Sequence, residues 1–113
     1  MHKLIRAQWY YAYRVSMAVQ FRDKWLESFY EEDKPNRRIP KRLESALFRK
    51  IQILDGANNE SDLRIPPGNR FEHLTNNLSE WCSIRVNKQY RLVFKWIDGV
   101  AVDTHLDPHK YRG

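Results

Sequence analysis

The stretch at residues 81–107 reads WCSIRVNKQYRLVFKWIDGVAVDTHLD. Three runs of strand length lie in it, at 81–87, 90–97 and 100–106. Asp98 and Gly99 separate the last two runs, and an Asp-Gly pair between apolar runs is a strong hairpin signal. A second tight connection lies at 87–89. The sequence therefore predicts an antiparallel meander in the C-terminal part of the chain.

Alternation along these runs predicts two unlike faces, because successive side chains of a strand point to opposite sides. One face is apolar and gathers Cys82, Ile84, Val86, Leu92, Phe94, Trp96, Val100, Val102 and Leu106. The other face gathers Trp81, Ser83, Arg85, Asn87, Arg91, Val93, Lys95, Asp103, His105 and Asp107. A solvated face is the plain interpretation of such a pattern. Arginines and histidines in place of Thr, Ser and Glu favour a functional face.

The residues before the meander predict a strand, two helices and a second strand, in that order. A short strand at 18–22 precedes Asp23, which is a suitable N-cap for a helix that runs to about Glu32. A longer helix starts near Pro40 and ends at Asp55-Gly56. A strand at 69–75 follows it. We therefore expect an α+β domain in which two helices pack on one face of a twisted antiparallel sheet.

Length and composition indicate a single cytoplasmic domain. The 113 residues are enough for one hydrophobic core. A lone cysteine, Cys82, excludes an internal disulfide and favours a reducing compartment. No stretch approaches the ~18 consecutive apolar residues of a membrane span, and the N-terminus is a poor signal peptide. We expect a cytoplasmic protein that does not contact a membrane.

The net charge of +6 is unevenly distributed along the chain. Its excess of basic residues lies in 1–16 and in 64–113, whereas 17–63 is balanced. A basic C-terminal half indicates a polyanionic partner, most simply nucleic acid. A merely soluble basic surface is the alternative.

The first sixteen residues are rich in tyrosine and lack a clean period. We expect an N-terminal extension at 1–16, either a short helix or strand packed on the domain or a tail that meets a partner. The domain itself would occupy 17–113. Met17 offers a second start of translation.

Three motifs resemble one known family. They read PPGNRFE at 66–72, SIRVN at 83–87 and QYRLVFKW at 89–96. In this order they are similar to HigB-type toxins, the killer proteins of plasmid maintenance systems in the RelE/ParE superfamily. The resemblance covers about residues 17–111 and leaves the extension unexplained.

This resemblance implies a function and a set of partners. The family is a group of type II toxins that enter the ribosomal decoding site and cleave messenger RNA there. A HigA-type antitoxin with a helix-turn-helix would neutralise the toxin and repress the operon that encodes both proteins. The toxin–antitoxin complex would be a heterotetramer. The ribosome and the messenger are the remaining partners, and the family implies no cofactor.

The resemblance also assigns roles to individual residues. Arg91 matches the arginine that the family places against the scissile phosphate. Asp107 and His109 match the aspartate and histidine of its C-terminal motif, so these three are the candidate catalytic residues. An arginine suits charge stabilisation, because it stays charged and can donate two parallel hydrogen bonds, whereas a histidine can transfer a proton near neutral pH. Candidate RNA-binding residues are Arg85, Arg70, Lys88, Lys95 and His73.

Departures from the family pattern leave other functions open. Pro108 replaces the family's tyrosine, Leu78 its usual arginine, and Thr75 a lysine that some members use. The loss of polar catalytic residues at positions 78 and 108 favours a ParE-like poison of DNA gyrase, which shares the fold and has no nuclease centre. A non-catalytic RNA-binding module is a third possibility.

The pattern of Cys and His predicts no metal site. Cys82 falls on the apolar face, so we do not expect it to act as a nucleophile.

Overall fold

The computed structural model describes residues 19–108, apart from the side chain of Asn76. Its strands are β1 (Val19–Phe21), β2 (Glu72–His73), β3 (Cys82–Arg85), β4 (Arg91–Ile97) and β5 (Val100–Asp107). Its helices are α1 (Lys24–Glu32), α2 (Glu44–Gly56) and the single turn α3 (Glu60–Leu63), with 3₁₀ turns at Lys41–Leu43, Pro67–Asn69 and Asn76–Leu78. These elements form an α+β fold. The predicted extension 1–16, Met17 and His109 lie outside the described residues.

The five strands form one mixed sheet in the order β1-β5-β4-β3-β2. Strands β2 to β5 are antiparallel neighbours, as the alternation predicts, but β1 pairs with β5 in parallel. The prediction of an antiparallel sheet is therefore wrong at this edge. A parallel pair needs a long crossover connection, and here the two helices and the first three strands of the antiparallel part intervene between β1 and β5.

The β4–β5 hairpin is confirmed, but a bulge in β5 changes which residues face the core. Asp98 and Gly99 both adopt positive φ, at 51° and 78°, as the favoured two-residue hairpin turn requires. Farther along β5 the register shifts, and Asp103 takes a φ of 56°. Ala101 is consequently fully buried, whereas Val102 is only half-buried. The predicted core positions of Val100 and Val102 are wrong, because an extra residue in one strand reverses the faces on one side of it.

The core lies between the helices and one face of the sheet. Apolar side chains of α1 and α2 share one buried cluster with the sheet residues, among them Leu26, Phe29, Leu47, Ile51, Leu54, Ile84, Leu92 and Phe94. The apolar face predicted for the first two strands of the meander is thus buried at Cys82, Ile84, Val86, Leu92 and Phe94. At the edge of this core the hydroxyl of Tyr30 donates a hydrogen bond of 2.7 Å to Asp55.

The strand β2 is shorter than the sequence predicts. A strand was expected over 69–75, yet only Glu72 and His73 pair with β3. Pro67–Asn69 forms a 3₁₀ turn instead, and Arg70 has a φ of 46°, which ends extended pairing on that side. Asn69 is completely buried, and its side-chain amide holds the turn by hydrogen bonds to the preceding backbone.

Asn69→Leu is expected to lower the free energy of unfolding by about 3 kcal/mol, because it leaves buried polar groups unpaired. The Asn69 amide donates to the carbonyl oxygens of Leu63 and Ile65 at 2.9 and 3.1 Å, and its oxygen accepts from Lys50 at 2.6 Å. Urea unfolding followed by circular dichroism measures the change. Asn58→Leu, at an exposed position, is the control. Equal effects of the two substitutions would contradict this role for Asn69.

Candidate active site

Arg91 is held in a defined position at the start of β4. Alternation places it on the face opposite the core residue Leu92, and only 12% of its side chain is exposed. Its Nη1 donates a hydrogen bond of 2.9 Å to the hydroxyl of Ser83 on β3 and lies 3.3 Å from a carboxylate oxygen of Glu72 on β2. Side chains of β2 and β3 therefore fix the guanidinium group. The Glu72 carboxylate is half exposed and accessible to a ligand.

Arg85 lies directly opposite Arg91 in the β3–β4 ladder. Like charges in directly opposed positions destabilise a sheet. The Nε of Arg85 is also buried without a hydrogen-bond partner among residues 19–108. An anion bound over the two guanidinium groups would offset the repulsion between them, so the pair favours a phosphate site on this face of the sheet.

A cleft of about 400 Å³ opens beside Arg91 on the polar face of the sheet. Its lining residues are Glu72, His73, Leu74, Thr75, Asn77, Leu78, Ser83, Arg91, Val93 and Asp107. One wall is charged and contains Arg91 and two carboxylates. The other wall comes from the loop between β2 and β3 and carries the apolar side chains of Leu74 and Leu78 beside the polar Thr75 and Asn77. A volume of this size falls in the range of small-ligand sites.

Asp107, a candidate catalytic residue, lies beside Arg91. The two residues are directly opposed in the β4–β5 ladder, and both line the cleft. Pro108 follows at the end of β5, and His109 lies outside the described residues. The structure therefore brings together two of the three candidate catalytic residues, Arg91 and Asp107.

Within residues 19–108, Glu72 is the one charged residue of this cleft that the sequence patterns did not indicate as a site residue. It occurs in the PPGNRFE motif, but a glutamate on an expected exposed strand carries no signal by itself. The register supplies the missing information, because Glu72 is paired with Ser83, the residue that binds Arg91. Its carboxylate is a proton acceptor next to the candidate phosphate site.

The candidate RNA-binding residues are spread over the surface around this cleft. Lys88 is exposed in the turn between β3 and β4, next to the pair Arg85 and Arg91. Arg70 is exposed before β2 and does not line the cleft. His73 lines the cleft, but its ring nitrogens contact Glu60 at 3.2 Å and the thiol of Cys82 at 3.5 Å.

Lys95 lies farther along β4, in an aromatic and charged cluster. Its Nζ is 4.8 Å from the ring centroid of Trp81, over which Arg22 also lies at 5.5 Å. His105 meets the same ring edge-on at 5.5 Å. Lys95 lies four positions along β4 from Arg91, so the Cα atoms of the two residues are roughly 13 Å apart. Lys95 is thus separate from the cleft.

Cys82 is buried on the core face, as predicted, and burial accounts for its chemistry. The pKa of the thiol is raised to about 11, first by desolvation and second by the nearby carboxylate of Glu60. The thiolate is the reactive form of cysteine, so this residue is inert near neutral pH. No group of His, Cys, Asp and Glu within the described part of the chain is arranged to hold a metal ion.

The stability of the protein is expected to fall between pH 8 and pH 10 in a way that depends on Cys82. The native state keeps the thiol proton up to about pH 11, whereas the unfolded chain loses it near pH ~8.5. Above that pH the unfolded state binds fewer protons, and the free energy of unfolding decreases as pH rises. Urea unfolding of the parent relative to Cys82→Ala should show an extra loss of about 1–2 kcal/mol. If the free energy of unfolding changes with pH equally in the parent and in Cys82→Ala, the raised pKa of Cys82 is contradicted.

Comparisons with known proteins agree with the geometry. A family model described as "RelE-like toxin of type II toxin-antitoxin system HigB" matches residues 19–109. Toxin HigB-1 of Vibrio cholerae serotype O1 is 72% identical over 95 residues, which cover 84% of this chain and 100% of that toxin. An uncharacterised protein of Haemophilus influenzae is 41% identical over 92 residues, or 81% of this chain and 91% of its own length.

One solved structure gives a more distant match. The YoeB dimer from Staphylococcus aureus is 17% identical, with a TM-score of 0.42, and the match covers 88% of this chain and 100% of that chain. No helix within residues 19–108 is long and apolar enough to cross a membrane.

Proposed function

Since the chain belongs to the HigB-like family of RelE-like toxins from type II toxin–antitoxin systems, we propose that it is a ribosome-dependent endoribonuclease that cleaves messenger RNA in the ribosomal A site. The observation that carries this proposal is the cleft in which Ser83 and Glu72 fix Arg91, with Asp107 opposite it in the β4–β5 ladder. An oriented guanidinium next to a proton acceptor is what phosphodiester cleavage by a 2′-hydroxyl requires.

The proposed reaction is an internal transesterification. The 2′-oxygen attacks the adjacent phosphorus, and its proton passes to the carboxylate of Glu72. The bond from phosphorus to the 5′-oxygen of the next nucleotide breaks, and that oxygen takes a proton from a general acid. The products are a 2′,3′-cyclic phosphate and a 5′-hydroxyl. Arg91, with Arg85 beside it, stabilises the negative charge that develops on the phosphoryl oxygens.

His109 is the proposed general acid, oriented by Asp107. We expect His109→Gln to lower single-turnover cleavage on ribosomes by about 10²-fold, because glutamine keeps a hydrogen-bonding group but cannot exchange a proton near neutral pH. Ribosome affinity should hardly change, since it depends mainly on arginine and lysine contacts with phosphate. A variant that cuts at the parent rate, or fails only because it no longer binds, would exclude His109 as the acid.

The second candidate function is inhibition of DNA gyrase in the manner of ParE-like toxins. The observation that favours it is the exposed leucine at position 78, where the family's arginine would stand. Primer extension on messenger from cells that express the protein separates the two. Discrete cuts within codons in the A site support the nuclease. Intact messenger together with blocked supercoiling would overturn it in favour of the gyrase poison.

A type II toxin has an antitoxin partner, and we propose its type and the cellular context. The partner would be a HigA-type protein with a helix-turn-helix, in a heterotetramer of two toxins and two antitoxins. The site of action would be the cytoplasm, where the ribosome and the messenger are found. The boundary between an extension at 1–16 and a toxin domain at 17–113 remains part of this proposal.

A further inference from the structure

The wall of the cleft formed by the loop between β2 and β3 presents an exposed leucine beside the candidate phosphate site. Leu78 is 49% exposed, one of three large hydrophobic residues of 19–108 that are this accessible. The other two, Ile65 and Ile97, do not line the cleft. Exposed apolar surface inside a charged cleft stabilises nothing in the free protein, so a ligand that covers it would gain from the contact.

The backbone holds Leu78 in this place. The amide of Leu74 donates to the carbonyl of Trp81 at 2.9 Å, which closes the loop between β2 and β3. Within the loop the amide of Leu78 donates to Thr75 at 3.0 Å, and its carbonyl accepts from the amide of Trp81 at 2.9 Å. Leu78 is thus bonded on both sides, and its side chain faces the cleft as part of an ordered turn.

The composition of the two walls identifies a suitable ligand. Arg91 and the carboxylates of the charged wall fit a sugar and its phosphate. The opposite wall offers Leu74 and Leu78, and Val93 also lines the cleft. Together these residues form an apolar surface that suits the flat face of a base. The side chains of Thr75 and Asn77 are exposed at the same wall and carry hydrogen-bond donors and acceptors.

We propose that this wall is a nucleobase subsite, and that it takes the base of the nucleotide that supplies the attacking 2′-hydroxyl. The assignment to that nucleotide follows from position, because Glu72 and the loop adjoin each other at the end of β2. A base packed on Leu78 therefore belongs to the sugar whose 2′-hydroxyl faces Glu72. This inference rests on the proposed function for the identity of RNA as the substrate.

Nucleoside 3′-monophosphates and inorganic phosphate test the subsite by direct binding to the full chain. Both probes carry the phosphate, but only the nucleotides carry a base. Nuclear magnetic resonance titrations should give at least about fivefold tighter binding for the nucleotides, as expected when roughly half of a leucine side chain becomes buried. Nucleotides that bind no tighter than inorganic phosphate would overturn the subsite.

Two variants at position 78 test whether the leucine side chain causes the tighter binding of nucleotides. Leu78→Ser should remove the advantage of the nucleotides, while Leu78→Met should keep it. Ile97→Ser is the matched control, since Ile97 is 48% exposed and lies at the β4–β5 hairpin away from the cleft. An equal loss in Ile97→Ser would overturn the assignment. So would a Leu78→Ser variant that binds nucleotides normally but loses affinity for the antitoxin, because the leucine would then serve the protein partner.

Cleavage assays separate this inference from the proposed function. On ribosomes programmed with messengers that differ only in the base before the cut, Leu78→Ser should reduce the spread of cleavage rates among the four bases. If the parent cuts no messenger yet binds nucleotides more tightly than phosphate, the nuclease proposal fails and the subsite stands. If the parent cuts normally and Leu78→Ser leaves both the rates and their spread unchanged, the subsite fails alone.

Discussion

Replacing Arg91 by alanine is expected to lower single-turnover cleavage of ribosome-bound messenger by roughly 10²–10³-fold, the usual loss when one oriented donor to a developing negative charge is removed. The structure gives the reason. Arg91 is fixed by Ser83 at 2.9 Å and needs little reorganisation to meet a phosphate. Growth arrest on expression in cells should disappear with the cleavage.

Arg91→Lys and Arg38→Ala make this test specific. Lysine keeps the charge but cannot donate two parallel hydrogen bonds, so we expect cleavage between that of the parent and that of Arg91→Ala. Arg38 is exposed and stacks on Trp25, outside the cleft, and its removal should leave cleavage unchanged. Circular dichroism and urea unfolding check the fold. Full cleavage by a folded Arg91→Ala protein would exclude the phosphate role.

Local signals in the sequence were sufficient for the meander and for one side of the site. Alternation between Arg91 and Leu92, and the Asp-Gly pair at 98–99, depend on neighbouring residues alone, so they predicted the strands, the hairpin and the polar face. The opposition of Arg91 and Asp107 follows from that hairpin once its turn is fixed. Burial of Cys82 was predicted by the same alternation.

Features that depend on distant residues were not predictable in this way. The β5 bulge accompanies a bidentate contact in which Arg22 donates to the Asp103 carboxylate at 2.9 and 3.2 Å, and this contact holds the pKa of Asp103 below its ordinary value. Arg22 directly follows β1, the strand whose parallel pairing was also missed. No local pattern in the segment around Arg22 or in β5 predicts that the two segments contact each other. Glu72 was overlooked for a similar reason, because only pairing across β3 brings it to Arg91.

Glu72→Gln is expected to lower single-turnover cleavage by about 10²-fold or more, within the usual range for loss of a general base. Glutamine has nearly the same shape as glutamate but cannot accept the 2′-hydroxyl proton. Affinity for a messenger with a 2′-deoxy nucleotide at the cut should stay equal or rise, because the substitution removes a negative charge 3.3 Å from Arg91. Glu80→Gln is the matched control, since Glu80 is exposed and pairs with Lys95 outside the cleft.

A messenger with sulfur in place of the scissile 5′-oxygen distinguishes the base from the acid. A thiolate leaves without protonation, since thiols have a pKa of about 8.5 and alcohols are far weaker acids. This substrate should restore most of the cleavage lost in His109→Gln, because that variant lacks only the proposed acid. It should not restore cleavage in Glu72→Gln, because the 2′-hydroxyl must still lose its proton. Restoration in Glu72→Gln, or normal cutting of the ordinary messenger by that variant, would show that Glu72 is not the base and would leave Asp107 as the remaining carboxylate in the cleft.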